Sequence, residues 1–468
     1  MKKRIITLLA IAILSEIVAI TGLILLFSFI FKNNTSSDTG NTFQVQARYN
    51  MPGSAEASKR SANSYKYKDE YNIKAQVVFS GETITIQEEL YIDKAYENGL
   101  ILLYVPSMNM VKTTIKDVKI IFNESAAAAE AVDDWEIISD MVLKISIKDK
   151  YRKEKDIFVN IEYEITPGNN SGTILYSGDQ VYLANFLVTP AVYKNGEPIL
   201  IYKSNFGDPY IYDVNNYKIS FVQDDSIYFD VYAPGEKQVL EEKVVFTAKN
   251  IRDFSAVVIK NKDSNDNKVH IDSETIYNTK VYYINSSEAA QYVKEAFLFA
   301  INNIGPYPHK EFFVVRAPLQ NLEGMELSNM IFISDRCFGN NYKESLPRLI
   351  YHEVLHQWFY NIIGTDQVNE PFLDEGLVSY LARILEGSKF GNNYSYNDKF
   401  TKMDLKSYST RDEYYRLAYT EATKYFADVH SKLGNDFYNL LKKIYEDKKY
   451  SILYFDDFVG YLSSFGGR

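Results

Sequence analysis

The stretch Leu349-Ile350-Tyr351-His352-Glu353-Val354-Leu355-His356-Gln357-Trp358-Phe359 decides how the rest of this chain is read. His352 and His356 are four positions apart. On an α-helix such positions are offset by about 40° and rise about 6 Å, so both imidazoles leave one face and can share a metal ion. Glu353 lies beside them, within reach of a water held by that ion. Imidazole nitrogen suits Zn²⁺, and a catalytic zinc keeps three protein ligands and one open position. A third donor follows in Phe372-Leu373-Asp374-Glu375-Gly376-Leu377-Val378-Ser379-Tyr380, which starts a second helix with Pro371 near its first turn. Glu375 stands nineteen positions after His356, enough for a helix end, a loop and a return helix. Asp374 points elsewhere on that helix and is expected to orient a histidine N–H. The predicted metal set is His352, His356 and Glu375 around one Zn²⁺ per chain.

Outward from this motif, helical periods run from Pro347 to the C-terminus. Upstream, a helix is expected over Ala289–Leu298, ended by Gly305-Pro306-Tyr307-Pro308, and a strand over Glu311–Arg316. Between Tyr65 and Ile259 the pattern alternates instead. Ala75–Phe79, Glu82–Gln87, Val118–Phe122, Val142–Ile147, Ile157–Tyr163, Tyr217–Phe221 and Val244–Ala248 read as short strands of an antiparallel sheet domain. The expected order is a β-rich domain over 65–260, then an α-rich catalytic domain over 261–468.

The N-terminus has its own logic. Met1-Lys2-Lys3-Arg4 is basic, and Ile5 to Phe31 is almost entirely apolar. As a helix those residues span about 40 Å, against a hydrocarbon core of about 30 Å. No small-x-small cleavage site follows, which predicts an uncleaved signal anchor with residues 1–4 in the cytoplasm and the remainder outside the cell. Glu16 inside the span has two readings: a contact with another membrane protein, or a neutral carboxyl tolerated in a single-pass anchor. Residues 32–64 are polar and turn-prone, as in a flexible stalk. A formal charge of −10 over 468 residues excludes a general nucleic-acid binder, and the single Cys337 excludes an intrachain disulfide.

The two motifs together resemble the aminopeptidase N family of gluzincin metallopeptidases, which also includes leukotriene hydrolase. His356-Gln357-Trp358-Phe359-Tyr360-Asn361 and Phe372-Leu373-Asp374-Glu375-Gly376 are similar to that family's H-Q-W-F-G-N and W-L-N-E-G. Glu323-Gly324-Met325-Glu326-Leu327 is similar to its G-A-M-E-N, an edge-strand motif, with Leu327 where Asn is usual. The resemblance covers roughly 65–468. It implies a multidomain α+β fold, with a β-rich N-terminal domain on a thermolysin-like zinc domain. It also implies substrate contacts from Gly324, Met325 and Glu326, with Glu326 holding the peptide's free amino terminus. The family's oxyanion tyrosine falls on Tyr419, within Ala418-Tyr419-Thr420-Glu421-Ala422, although Tyr414, Tyr415 and Tyr425 are near. Its N-domain Gln or Glu that helps bind the amine has its nearest counterpart around Tyr182-Leu183-Ala184-Asn185. Its C-terminal helical domain has no counterpart before Arg468.

The expected activity is that of a membrane-anchored zinc aminopeptidase acting on peptides outside the cell, with Glu353 as base and then acid and Tyr419 on the oxyanion. Two other classes stay open: a zinc endopeptidase or other hydrolase with an open cleft, and a non-catalytic membrane-tethered binding module.

Overall fold

Alternating side chains build the first half. In Ile73–Ser80 the residues Ile73, Ala75, Val77 and Phe79 are buried while Gln76 and Ser80 are exposed, the period of two that a sheet with one packed face requires. This strand joins a seven-stranded sheet in the order Glu236–Val239, Lys243–Ile251, Asn215–Val222, Ile73–Ser80, Thr83–Lys94, Lys155–Thr166, Lys112–Phe122. The sheet is antiparallel except where Ile73–Ser80 runs parallel to Asn215–Val222. The purely antiparallel expectation therefore needs correction: alternation marks a half-buried strand but carries no information on the direction of its partner. Two four-stranded sheets accompany it, one centred on Leu100–Tyr104 and Val142–Ile147, the other on Ala256–Lys260 and Gln180–Leu183. Their inner faces form one apolar cluster with those of the large sheet.

The structure is a computed structural model and describes residues 71–466 apart from 95–98, 107–111, 123–131, 168–171, 205, 224–228, 261–268 and 389–393. The expected tip at 1–4, anchor at 5–31 with Glu16, and stalk at 32–64 lie outside the described residues. Among the described residues no helix is long and apolar enough to cross a membrane.

A five-stranded sheet follows, in the order Ile271–Ile276, Thr279–Ile284, Glu311–Ala317, Met330–Ser334, Gly324–Leu327. Its two central pairings are parallel. Both faces are covered, which explains the unbroken apolar runs. Phe312, Val314, Ile331 and Ile333 pack against the helices, while Phe313, Val315, Met330 and Phe332 pack against Tyr182, Val257 and Ile259 from the β-rich half. The helices are Ala290–Asn303, Leu346–Leu355, Phe372–Leu385, Ala422–Leu433, Asp436–Lys448 and Phe455–Ser464, with Trp358, Phe297 and Phe372 buried at their centre. All the described residues fall in one compact unit, Ser61–Arg468.

Candidate active site

The motif helix, Leu346–Leu355, begins with Pro347 in its first turn, where a missing N–H costs nothing. Its apolar positions Ile350, Val354 and Leu355 face the core, which turns Glu353 toward the edge strand Gly324–Leu327 and His352 toward Glu375. The helix ends with His356 as its cap rather than running on through Phe359. Beyond it, Asn361, Ile362 and Ile363 donate to the carbonyls of His356, Gln357 and Trp358, five residues back. Tyr360 has φ 136°, so the chain opens into wide turns and then reverses. The return helix, Phe372–Leu385, carries Glu375 in its first turn.

These elements converge three donor atoms. His352 Nε2 is 3.1 Å from His356 Nε2. Glu375 Oε2 lies 3.2 Å from the first and 3.5 Å from the second. A tetrahedral ion with ligand bonds of about 2.0–2.1 Å has edges of about 3.3 Å, so the triangle fits such an ion without rearrangement. The far ring nitrogens set the tautomers. His356 Nδ1 donates to the carbonyl of Phe359 at 3.0 Å, and His352 Nδ1 lies 3.4 Å from Ser379 Oγ. With Nδ1–H engaged outward, each Nε2 lone pair points at the common centre. Asp374 does not take the orienting part expected of it. It accepts from Thr365 Oγ1 at 2.7 Å and from the Glu375 backbone N–H at 2.9 Å, and so fixes the start of the return helix.

Glu353 is buried, and its Oε2 has no hydrogen-bond partner. A Cβ on Gly324 would come within 2.2 Å of Glu353 Oε1, so only glycine lets the edge strand approach this carboxylate. The pleat then sorts the strand. Gly324 and Glu326 face the helix, whereas Met325 sits in the core shared with the β-rich half and does not join the site through its side chain. Glu326 is buried and accepts from Gln367 Nε2 at 2.8 Å. Sequence reasoning passed over Gln367, which sits in the loop entering the return helix.

It also passed over Asp208. Ligand oxygens of Asp208, Glu326 and Glu375 lie within 4.8 Å of one another. Three acceptors at about 2.8 Å around one ammonium nitrogen are about 4.6 Å apart, so this second cluster is close enough for its carboxylates to share one ammonium. Asp208 reaches it from the β-rich half because Gly207, at φ +71°, packs so tightly on Leu405 and Tyr414 that a Cβ would come within 2.8 Å of both. A Gly-Asp-Pro turn is the one local signal that marks this residue. Asn185, from the segment singled out for the amine, lies buried beside the Tyr210 hydroxyl, which in turn feels Asp208 and Glu326.

The electrostatics are those of a site built around positive charge. Burial pushes the Glu353 carboxyl well above its usual range, and neighbouring Glu326 adds to this. Burial does the same to Asp208, reinforced by Glu326 and Glu375. Burial lowers His352. Burial also opposes a charge on His356, but Glu326 and Glu375 outweigh it and raise that group. Crowded carboxylates beside two imidazoles are a donor set that suits a divalent cation.

Tyr419 lies over the same centre, its ring 6.0 Å from that of His352 and nearly parallel to it. It belongs to a seven-residue π-helical segment, Tyr415–Glu421, between the α-turns Arg411–Tyr414 and Ala422–Leu433. Its rivals are placed differently. Tyr414 is buried against Phe206 and Tyr408, Tyr425 packs on Phe400 and Phe426, and Tyr415 is half exposed beside Tyr419. The remaining histidines stand apart from the cluster. His270 pairs with Asp272, and His430 stacks on Phe437.

Residues 288–459 match the model of the peptidase family M1 domain. Among solved structures, aminopeptidase A of Legionella pneumophila in complex with aspartic acid matches with a TM-score of 0.60 and 13% identity, over 85% of this chain and 48% of that one. That likeness is one of fold, and this chain spans about half the length of that protein. No curated protein sequence matches. The segment that holds His352, Glu353, His356, Glu375 and Tyr419 is thus the part of the chain that is similar to a family M1 peptidase domain.

Proposed function

We propose that this protein is a zinc aminopeptidase, held at the cell membrane by residues 5–31 with its catalytic part outside, that removes amino-terminal residues from peptides. One observation carries the reading: Glu375 belongs to both clusters, so the metal donors and the carboxylates close enough to share an ammonium have a residue in common. A peptide whose amino group sits among Asp208, Glu326 and Glu375 has its first carbonyl beside His352 and His356. Zinc held by His352, His356 and Glu375 would supply a water acidified toward neutral pH and polarise that carbonyl. Glu353, buried with a free oxygen, takes the proton of the attacking water and passes it to the leaving amine. The Tyr419 hydroxyl donates to the oxyanion as it forms. Glu326, held by Gln367, and Asp208 bind the ammonium and fix which bond is reached. Outside the described part, the basic tip, the apolar run and the polar stalk support the membrane placement.

The test is hydrolysis of aminoacyl chromogenic substrates and of matched free and N-acetylated peptides by residues 65–468, with and without a chelator. Chelator-sensitive release from free peptides alone is expected. Equal cleavage of acetylated and free peptides would point to an endopeptidase on the same residues instead.

A further inference from the structure

We infer that Gln357 is a positioning residue that sets the distance between the amine anchor and the metal donors, and so fixes cleavage one residue from the amino terminus. The inference rests on the aminopeptidase reading.

His356 and Gln357 are consecutive and both fully buried, yet they serve different ends. His356 turns Nε2 to the metal centre. Gln357 turns away and grips the hairpin that carries Glu326 with both ends of its amide. Nε2 donates to the carbonyl of Leu327 at 2.9 Å, and Oε1 accepts the N–H of Asn329 at 3.0 Å. Leu327 directly follows Glu326. The pair of bonds copies what a neighbouring strand would make. A carbonyl only accepts and an N–H only donates, so the amide cannot turn over. Two more donors hold Oε1 in place, Asn361 Nδ2 at 3.2 Å and the Tyr307 hydroxyl at 3.3 Å. Asn329 Oδ1 closes the network, accepting from Asn361 Nδ2 at 2.8 Å and from Tyr307 at 3.0 Å.

The geometry makes this more than core packing. The strand Gly324–Leu327 is at the edge of its sheet and, among the described residues, pairs only with Met330–Ser334. Along its open side, its place relative to the helix depends on what it meets there. Gly324 rests on Glu353 and Glu326 on Gln367, but of these three neighbours Gln357 is the one that follows a metal donor and also hydrogen-bonds the backbone of the hairpin. A displacement of about 1 Å at such a site loosens the hold on the ammonium and is enough to cost up to the order of a hundredfold in kcat/KM. Gln357 therefore works as a ruler one residue long.

The experiment compares wild type with Gln357→Met, which keeps the volume and loses every bond, and with Gln357→Asn. Zinc per chain, kcat and KM for an aminoacyl anilide are measured. Gln357→Met is expected to raise KM about tenfold or more, with zinc content unchanged and kcat within about threefold. Gln357→Asn keeps the amide but is one methylene too short to reach both Leu327 and Asn329, so its KM should rise as well. A wild-type KM in Gln357→Met, or zinc lost in proportion to activity, overturns the inference. Should Gln357→Met fail to fold, a wild-type KM in Gln357→Asn overturns it equally. A wild type that discriminates free from acetylated peptides while Gln357 proves indifferent removes only this inference. A wild type that does not discriminate removes the reading beneath it as well.

Discussion

At the scale of single residues, the two clusters separate roles that side-chain chemistry alone leaves merged. Glu353 and Glu375 are both buried carboxylates near the same imidazoles, but only Glu375 completes the triangle of donors. Glu375→Ala should lose most of the zinc by elemental analysis, while Glu353→Ala should keep it and lose activity. Asp208→Asn keeps its shape and removes one charge from the cluster of Asp208, Glu326 and Glu375. It should raise KM for free peptides about tenfold and leave zinc content unchanged. His352, Glu353, His356 and Glu375 were legible in the sequence because their relation is local, set by helix period and one loop. Asp208 was not, because nothing in a Gly-Asp-Pro turn says which distant carboxylates it will meet. A second buried carboxyl, Glu88, shows the same limit far from the site. It accepts from Tyr163 OH at 2.6 Å and Val188 N–H at 3.0 Å, has no cation, and burial raises it to about 8 against 4.5. The native state then holds a proton between pH 4.5 and 8 that the unfolded chain releases. Its contribution is complete below about 4.5 and is lost as pH rises through about 8, so stability falls across that window. Glu88→Gln removes the titration and should raise stability at pH 9 by up to about 5 kcal/mol relative to wild type, with little change at pH 5. Thermal melts at both pH values read this directly.

At the scale of elements, the strand segments and the helices around the motif followed from periodicity, because burial on one face imposes it. What periodicity does not contain is where a helix departs from its own repeat. Tyr415–Glu421 winds as a π-helix inside an otherwise α-helical run from Arg411 to Leu433, and this extra residue per turn sets the direction in which Tyr419 leaves. Ala422 and Phe426, just after it, press on Gly376 of the return helix, where a Cβ would come within 2.4 Å of Ala422. The π-segment thus reconciles close packing of two helices with a tyrosine set over the His352–Glu375 cluster. Tyr419→Phe should lower kcat about a hundred- to a thousandfold without loss of zinc. Deleting the exposed Arg416 should let the segment relax to an α-helix and rotate Tyr419 by about 100°. Activity should then fall as far as in Tyr419→Phe, while the melting temperature holds or rises. Activity retained after the deletion would show that the π-turn does not aim the tyrosine.

At the scale of the whole molecule, the β-rich half takes part in the site as well as adjoining it. Besides supplying Asp208, it is tied to the turns behind the motif helix by two neighbouring buried side chains. Arg252 donates to the carbonyls of Asn361 at 2.9 Å, Ser451 at 2.8 Å, Tyr212 at 2.6 Å and Ile362 at 3.3 Å. Asp253 accepts from Ser328 N–H and from the Tyr360 hydroxyl, both at 2.8 Å. None of this was readable in advance, since an Arg-Asp pair in a turn looks like surface chemistry until the fold buries it. Arg252→Met leaves several buried carbonyls unpaired and should destabilise the protein by about 3 kcal/mol or more in urea melts. The wider placement of the molecule gives the last prediction. The apolar run Ile5–Phe31 follows a basic tip and precedes a polar stretch before the folded unit begins. Such a stretch, free of apolar period, is where proteases cut, whereas the folded part presents few sites. A protease added to intact cells should therefore cut within 33–64 and release a soluble fragment that retains Gly324, Glu326, the metal donors and Tyr419, and with them aminopeptidase activity. The fragment should appear without lysis, and its N-terminal sequence should fall within residues 33–64. Protection until the membrane is broken would place the catalytic part on the cytoplasmic side, because a barrier, and not a fold, would then be what keeps the protease away.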